Sequence, residues 1–268
     1  MKSYTLIKIK IVFRVIFKVI NWSCPIFHYF NLKKNKCIVR FRSGLKCIVR
    51  NKSDAVVFFE NFFLDSYEQE GLKIKEEDTV LDIGAHVGYF TIYASKKANK
   101  GKVFAFEPSK ESYKILEENI KLNKLKNVQT ENYGVLNKSG ISVLYVDKEN
   151  QIGNTMFEDK KGSIKENVNV ISIRDIIEKK NIEKIDFLKL DCEGAEYEII
   201  LNLPKEILNK IKIISMEVHK IEKLDITDIE KFLNKNNFQV KRKFLLSESS
   251  ANWPMLYAKN QNFVEKKI

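Results

Sequence analysis

Residues 80–88 read Val80-Leu81-Asp82-Ile83-Gly84-Ala85-His86-Val87-Gly88, a buried-type strand that ends in small residues and opens a helix. In open α/β sheets, ligands bind beyond the carboxyl ends of the strands. Gly84, Ala85 and Gly88 would let a ligand approach the backbone there, and the helix start offers free N–H groups. His86 and Tyr89 stand where a G-x-G-x-x-G dinucleotide fingerprint needs its second and third glycines, and no Walker A sequence occurs in the chain. Glu107 follows Asp82 by 25 residues and ends the next strand, just before Pro108. A carboxylate at that point accepts both hydroxyls of a ribose. Asp82 with its glycine loop, and Glu107 after it, fit S-adenosylmethionine (SAM), whose zwitterionic methionine and ribose need such groups.

A second constellation is Asp191-Cys192-Glu193-Gly194-Ala195-Glu196, at the end of a later strand. Asp191 and Glu193 share one side of an extended segment, and Glu196 enters from the following turn. Three carboxylates so spaced either bind Mg²⁺ or raise the pKa of one member until it serves as a base. Glu196 has the alternative of sitting in a first helical turn and favouring the helix dipole. Glu217 and His219 end the next strand; His219 is a natural base or else a structural residue. His86 reads as a contact of the cofactor loop. Asn132, ending the third strand, reads as an adenine contact or as an ordinary loop amide.

These residues need a scaffold, and the text supplies one. Strand signals at 79–84, 102–108, 127–135, 184–194 and 212–220 alternate with helix signals at 87–98, 109–123 and 226–236. FQVKRKF and PMLYAKN finish the chain as a strand pair. Such alternation means a mainly parallel α/β sheet. Upstream, 37–50 reads as a hairpin about Ser43-Gly44, then a helix from Asp54, a plausible N-cap, to about Ser66. The organisation expected is an N-terminal extension over 1–36, a hairpin and helix over 37–75, and the main domain over 76–268.

The charge is unevenly placed. The 268 residues carry 47 Lys and Arg against 35 Asp and Glu, but residues 1–50 hold twelve of the cations and no acid. The remainder is balanced, so the excess belongs to one end, which suggests a segment with its own partner. Residues 4–20 are apolar yet broken by Lys8, Lys10, Arg14 and Lys18, and no uncharged run there approaches the roughly 18–20 residues a span requires. They read as a helix with an apolar side of Ile9, Val12, Phe13, Ile16 and Ile20. Ile7, Ile11 and Val15 intrude on its cationic arc. Such a helix lies on an anionic membrane surface, or else packs on the domain as a basic cover. Cys24, Cys37, Cys47 and Cys192 make no C-x-x-C pair, which argues against a zinc ribbon or disulfide framework and for a reducing, cytoplasmic setting.

DIGAHVGYFT, FAFEPS, VNVISIRDII and above all IDFLKLDCEGAEYEII resemble the FkbM-family methyltransferases over roughly residues 40–260. The resemblance implies a class I SAM-dependent methyltransferase fold, Rossmann-like, with a seven-stranded sheet and one antiparallel strand. It also implies O-methylation, often of sugar or polyketide hydroxyls. His86 departs from the family's usual Asn. The residues expected to contact the cofactor are then Asp82, Gly84, His86, Gly88, Glu107 and Asn132. Asp191, Glu193 and His219 are the catalytic candidates, and Asp191, Glu193 and Glu196 the candidate Mg²⁺ ligands. An aliphatic alcohol is a very weak acid, so its methylation needs alignment and a nearby base or metal. The leading expectation is an O-methyltransferase for a sugar, glycan or glycolipid-type acceptor. Alternatives are an RNA methyltransferase, against which the neutral body argues, and a non-catalytic SAM-fold protein that binds membrane or partners.

Overall fold

The computed structural model describes residues 11–33, 35–64, 66–69, 71–146, 154–156, 164–222, 224–244 and 254–263. The first elements among the described residues are helix α1, described over 11–18, and α2 (Ser23–Tyr29). Residues 4–10, Ile9 included, lie outside the described residues. A hairpin of β1 (Cys37–Arg40) and β2 (Lys46–Val49) leads to α3 (Lys52–Phe63). β1 and β2 pair antiparallel, and Gly44 takes φ +87° in the turn between them. The N-cap of α3 is Asn51, not Asp54: the Asn51 side chain accepts the Asp54 N–H at 2.9 Å. Asp54 is left inside the first turn, with its carboxylate turned to Arg50.

The imperfect amphipathicity of α1 has a physical cause. Ile11, Val15 and Val19 recur every fourth residue, and Val15 and Val19 are fully buried. They share a hydrophobic cluster with Phe58 and Phe63 of α3 and with Tyr89, Ile92 and Ile115 of the main domain. Ile11 packs against the same cluster. Ile11 and Val15, which intrude on the cationic arc, are therefore among the residues that dock the helix. Val12, Phe13, Phe17 and Ile20 remain exposed. No helix among the described residues is long and apolar enough to cross a membrane.

The main domain continues with β3 (Thr79–Ile83), α4 (Tyr89–Lys97), β4 (Lys102–Phe106), α5 (Lys110–Leu122) and β5 (Val128–Glu131). After β6 (Gly134–Leu136), β7 (Gly140–Val146), β8 (Ile164–Ser172) and α6 (Ile173–Lys180) come β9 (Ile185–Leu190), α7 (Ala195–Leu201) and α8 (Lys205–Leu208). β10 (Ile211–Glu217), α9 (Ile226–Lys235), β11 (Phe238–Phe244) and β12 (Pro254–Asn260) complete it. Seven strands form one sheet in the order β11-β12-β10-β9-β3-β4-β5, in which β12 alone runs antiparallel to its neighbours. This is the α/β, class I arrangement that the resemblance implies. Ile, Leu and Phe side chains of β3, β4, β9 and β10 pack on one face under α6, α7 and α9. The other face holds Val80, Val103, Phe187 and Ile213 against α4.

The structure differs from the sequence reading in two places. The text at 127–135 is not one strand but two, β5 in the main sheet and β6 in a second, three-stranded sheet of order β6-β8-β7. A break at Asn132 and Tyr133 lets the chain leave the main sheet. In addition, Cys24 and Cys37 form a disulfide at the junction of α2 and β1, with Cα atoms 6.7 Å apart. This corrects the expectation of unconnected cysteines. Tertiary folding joins positions that no cysteine motif marks.

Candidate active site

The order of the main sheet reverses between β3 and β9, where a ligand cleft is expected. Their register sets Asp82 beside Lys189 and Ile83 beside Leu190, so the loop after β3 meets the turn after β9. A Cβ on Gly84, at φ +74°, would fall 1.8 Å from the Asp191 carbonyl oxygen. One on Gly88, at φ +86°, would fall 2.3 Å from Leu116 Cδ1. The chain's own packing thus requires both glycines. Gly84 also lines the cleft, whereas Gly88 lies outside its lining.

Lys189, only 3% exposed, is the hub. Its ammonium donates to the Gly84 carbonyl at 2.7 Å and pairs with Asp82 Oδ1 at 3.2 Å and Asp191 Oδ2 at 3.6 Å. The Tyr67 ring lies 5.3 Å from it. Burial alone would lower the Lys189 pKa, but Asp82 and Asp191 outweigh it and raise it. Asp82 is fully buried and accepts the Thr91 hydroxyl at 2.5 Å. It holds the loop and Lys189 rather than facing the cleft.

Beyond β9, Glu193 at φ +51° and Gly194 at φ +106° turn the chain into α7. Glu196, in the first turn of α7 and 0% exposed, folds back on this turn. It accepts the Cys192 N–H at 2.8 Å and the Gly194 N–H at 2.9 Å, and it meets His219 Nδ1 at 3.1 Å. This corrects the expected Mg²⁺ set. The Glu196 oxygens are held inside its own turn, and among the described residues the Asp191, Glu193 and Glu196 ligand atoms do not converge.

His219 stands among carboxylates. Burial would lower its pKa, but Glu196 and Glu193, with Asp191 beyond, raise it well above its ordinary value. Its Nε2 lies 3.6 Å from Glu193 and 4.0 Å from Asp191, so the ring bridges the carboxylates of this turn. Burial would raise the Asp191 pKa, yet Lys189, His219 and the Tyr67 hydroxyl hold it below the ordinary carboxylate range. That hydroxyl donates to Asp191 Oδ2 at 2.7 Å. Nearby Glu217 goes the other way: burial and the Asp191 charge push its pKa well up.

Glu107 accepts the His86 N–H at 2.8 Å and the Ser109 N–H at 2.9 Å, one on each oxygen. Burial nevertheless pushes its pKa up to about 7. Asn132 donates to the carbonyls of Glu107 and Pro108 at 2.8 and 2.9 Å, so it clamps the Glu107 turn and lies outside the lining of the cleft. His86, at φ +50°, occupies the left-handed region that Asn and His tolerate better than most residues. Burial takes its pKa down to about 4 despite the Asp54 carboxylate 3.8 Å away, so the ring is neutral. Asp54 is itself gripped by Arg50 through contacts of 2.8 and 2.9 Å.

The cleft encloses about 680 Å³, open mouth included, and brings Gly84, His86, Glu107, Asp191 and Glu193 into one lining. Apolar side chains, Phe106, Val135 and Met156 among them, complete the wall. The Thr155 hydroxyl donates to the Glu193 carbonyl at 2.8 Å, which ties the small sheet's border to the acidic turn. Sequence reasoning overlooked Lys189, Tyr67, Thr91 and the Arg50–Asp54 pair. The one available signal was Lys189, a lone cation in the otherwise buried-type text Ile185-Asp186-Phe187-Leu188-Lys189-Leu190.

The Methyltransferase FkbM domain matches residues 82–240 of the chain, which contain every one of these catalytic candidates. The chain belongs to the FkbM methyltransferase family. SAM is the cofactor of this class I fold. The cleft lining offers the group types that SAM's hydroxyls, purine and zwitterion require: the Glu107 carboxylate, apolar walls and the acidic side chains of Asp191 and Glu193. The hexuronic acid methyltransferase AglP of Haloferax volcanii is 27% identical over 156 residues, 58% of this chain and 62% of that protein. The AMB antimetabolite synthetase AmbE of Pseudomonas aeruginosa is 26% identical over 214 residues, 66% of this chain but 10% of that protein. Among solved structures, M. jannaschii TYW2 in complex with AdoMet aligns with a TM-score of 0.46 at 16% identity, covering 85% of this chain and 86% of that one.

Proposed function

We propose that this FkbM-family chain is an O-methyltransferase whose acceptor is a hydroxyl of a sugar, glycan or glycolipid-type compound. The observation that supports it best is the joint presence of Glu107 and of ionised Asp191 in one cleft lining. When bound, SAM supplies a methyl group activated by its sulfonium. Glu107 keeps lone pairs free beside its two backbone bonds, and these accept the ribose hydroxyls. Asp191 takes the proton of the acceptor oxygen. A hydroxyl becomes strongly acidic as its new C–O bond forms, so a carboxylate of low basicity is sufficient. Lys189, Tyr67 and His219 hold Asp191 in place, and Glu193 completes that wall. AglP, by its name a hexuronic acid methyltransferase, makes a sugar acceptor the reading to test first. A glycan and metabolite extract incubated with methyl-labelled SAM should yield a labelled sugar-containing product by mass spectrometry. Label only in RNA would refute the glycan reading.

The Glu107 role has its own expected result. Replacing Glu107 with Ala should weaken SAM binding about tenfold or more in calorimetry, since two charge-assisted hydrogen bonds are lost. The charged carboxylate is the better acceptor, so affinity in the unaltered chain should fall as pH drops through about 7. Glu107→Gln should flatten that dependence. Unchanged affinity in both variants would remove Glu107 from the ribose site.

The reading extends to a membrane surface as the place of work. Eight of the thirteen exposed large apolar side chains among the described residues lie between residues 12 and 32. Phe17, 73% exposed, borders a groove lined by Arg14, Lys18, Arg42, Lys46, Lys96, Lys97 and Lys124, with no acid in its lining. Apolar insertion beside cations suits an anionic lipid surface, where each cation contributes about 1 kcal/mol. A lipid-linked acceptor would then meet the cleft at the bilayer. The full chain should float with anionic vesicles and release at high salt, whereas Phe13→Glu/Phe17→Glu should not float. Equal flotation of both, or of neither, would refute the membrane reading.

A further inference from the structure

A second chemical grouping lies away from the cleft. Cys24 and His28 stand one turn apart on α2 and share a face, and Cys37 begins β1. Two Sγ atoms and an imidazole nitrogen there lie within 4.8 Å of one another. Cys24 is 5% exposed, His28 0%, and Cys37 half-buried. The backbone of Lys33 and Asn35 approaches the His28 ring, yet neither ring nitrogen makes a hydrogen bond. A buried polar group left so costs about 1–3 kcal/mol, which a bound partner would offset.

We propose that, with the Cys24–Cys37 disulfide reduced, Cys24, His28 and Cys37 form a zinc site. Two thiolates and one imidazole are a zinc donor set, and the absence of oxygen donors from the trio disfavours Mg²⁺ and Ca²⁺. The two thiolates neutralise the dication, which matters in a segment whose first fifty residues contain no acid. A dithiol reductant first opens the Cys24–Cys37 disulfide to two thiols and is itself oxidised to a disulfide; binding then forms two Zn–S bonds and one Zn–N bond and releases the two thiol protons. The half-exposed Cys37 leaves the fourth, exchangeable position to solvent. The ion would tie α2 to the β1–β2 hairpin and so set the orientation of the apolar, basic segment that precedes it. The disulfide and the zinc-bound dithiolate are alternative states of the same two sulfurs, and only the second gives a His28 ring nitrogen a partner.

The test uses the full chain, purified under reductant without added metal. About one zinc per chain should be found by elemental mass spectrometry, and cobalt exchanged for it should give thiolate-to-metal charge-transfer absorption. Cys37→Ser and His28→Ala should each lose at least about tenfold in zinc affinity, whereas Cys47→Ala should retain the ion. If a variant fails to fold, the zinc content and cobalt spectrum of the unaltered chain decide. A reduced chain without zinc, a cobalt spectrum without thiolate bands, or full retention of zinc by Cys37→Ser would overturn the site. So would a Cys24–Cys37 cross-link that persists in the chain purified under reductant.

Discussion

Lys189→Met should lower the stability of the fold by about 3–5 kcal/mol, the cost of breaking a buried ion pair from one side. The Met side chain fills most of the lysine's volume but leaves Asp82, at 0% exposure, with the Thr91 hydroxyl as its remaining close partner. It also removes the cation beside Asp191 and the donor to the Gly84 carbonyl. At about 2–4 °C per kcal/mol for a domain of this size, the melting temperature should drop by roughly 6–20 °C. Thermal unfolding measures this directly. If the loss comes from the stranded charge, Asp82→Asn/Lys189→Met should recover much of it, because the two changes are coupled. A melting point unchanged by Lys189→Met would show that the central ion pair contributes nothing net.

Asp191→Asn should reduce methyl transfer about a hundredfold while SAM affinity changes little. The amide keeps an oxygen for the Tyr67 hydroxyl and the same shape, so geometry survives and the negative charge is lost. Because Lys189 and His219 hold the Asp191 pKa down, its carboxylate stays ionised across the neutral range. The single-turnover rate at saturating SAM should therefore be flat from about pH 5.5 to 8. Acid sensitivity should appear in SAM affinity instead, through Glu107. Single-turnover assays on the labelled acceptor, beside calorimetry of SAM binding, separate these effects. A fully active Asp191→Asn enzyme would remove Asp191 from the chemistry.

The periodic features of the fold were readable from the chain because they are local. A strand buried on both faces must be a continuous apolar run, so β3, β4, β9 and β10 announced themselves. Ser109 and the long amphipathic stretch after it marked α5, and its side chain does cap the helix by accepting from Ser112 N. The pairing of an acid–glycine loop with a second strand-ending acid pointed to the cofactor for the same reason. Those residues sit at fixed offsets from strand ends.

What the sequence could not determine were roles set by neighbours distant along the chain. Gly84 and Gly88 were legible as small residues, but the contacts that require them come from Asp191 and Leu116. His219 read as a base or a structural residue, and only the fold set it among Glu193, Glu196 and Asp191 from another strand end, whose charges raise its pKa. Lys189 gained its meaning only from a strand register that set it beside Asp82, over a hundred residues away. The two apolar faces of α1 looked like disorder in one pattern until packing took Val15 and Val19 and left Phe13 and Phe17 outside. Periodicity records which face of an element is buried. Charge state and partner choice depend on the through-space field of groups that only the tertiary fold brings together.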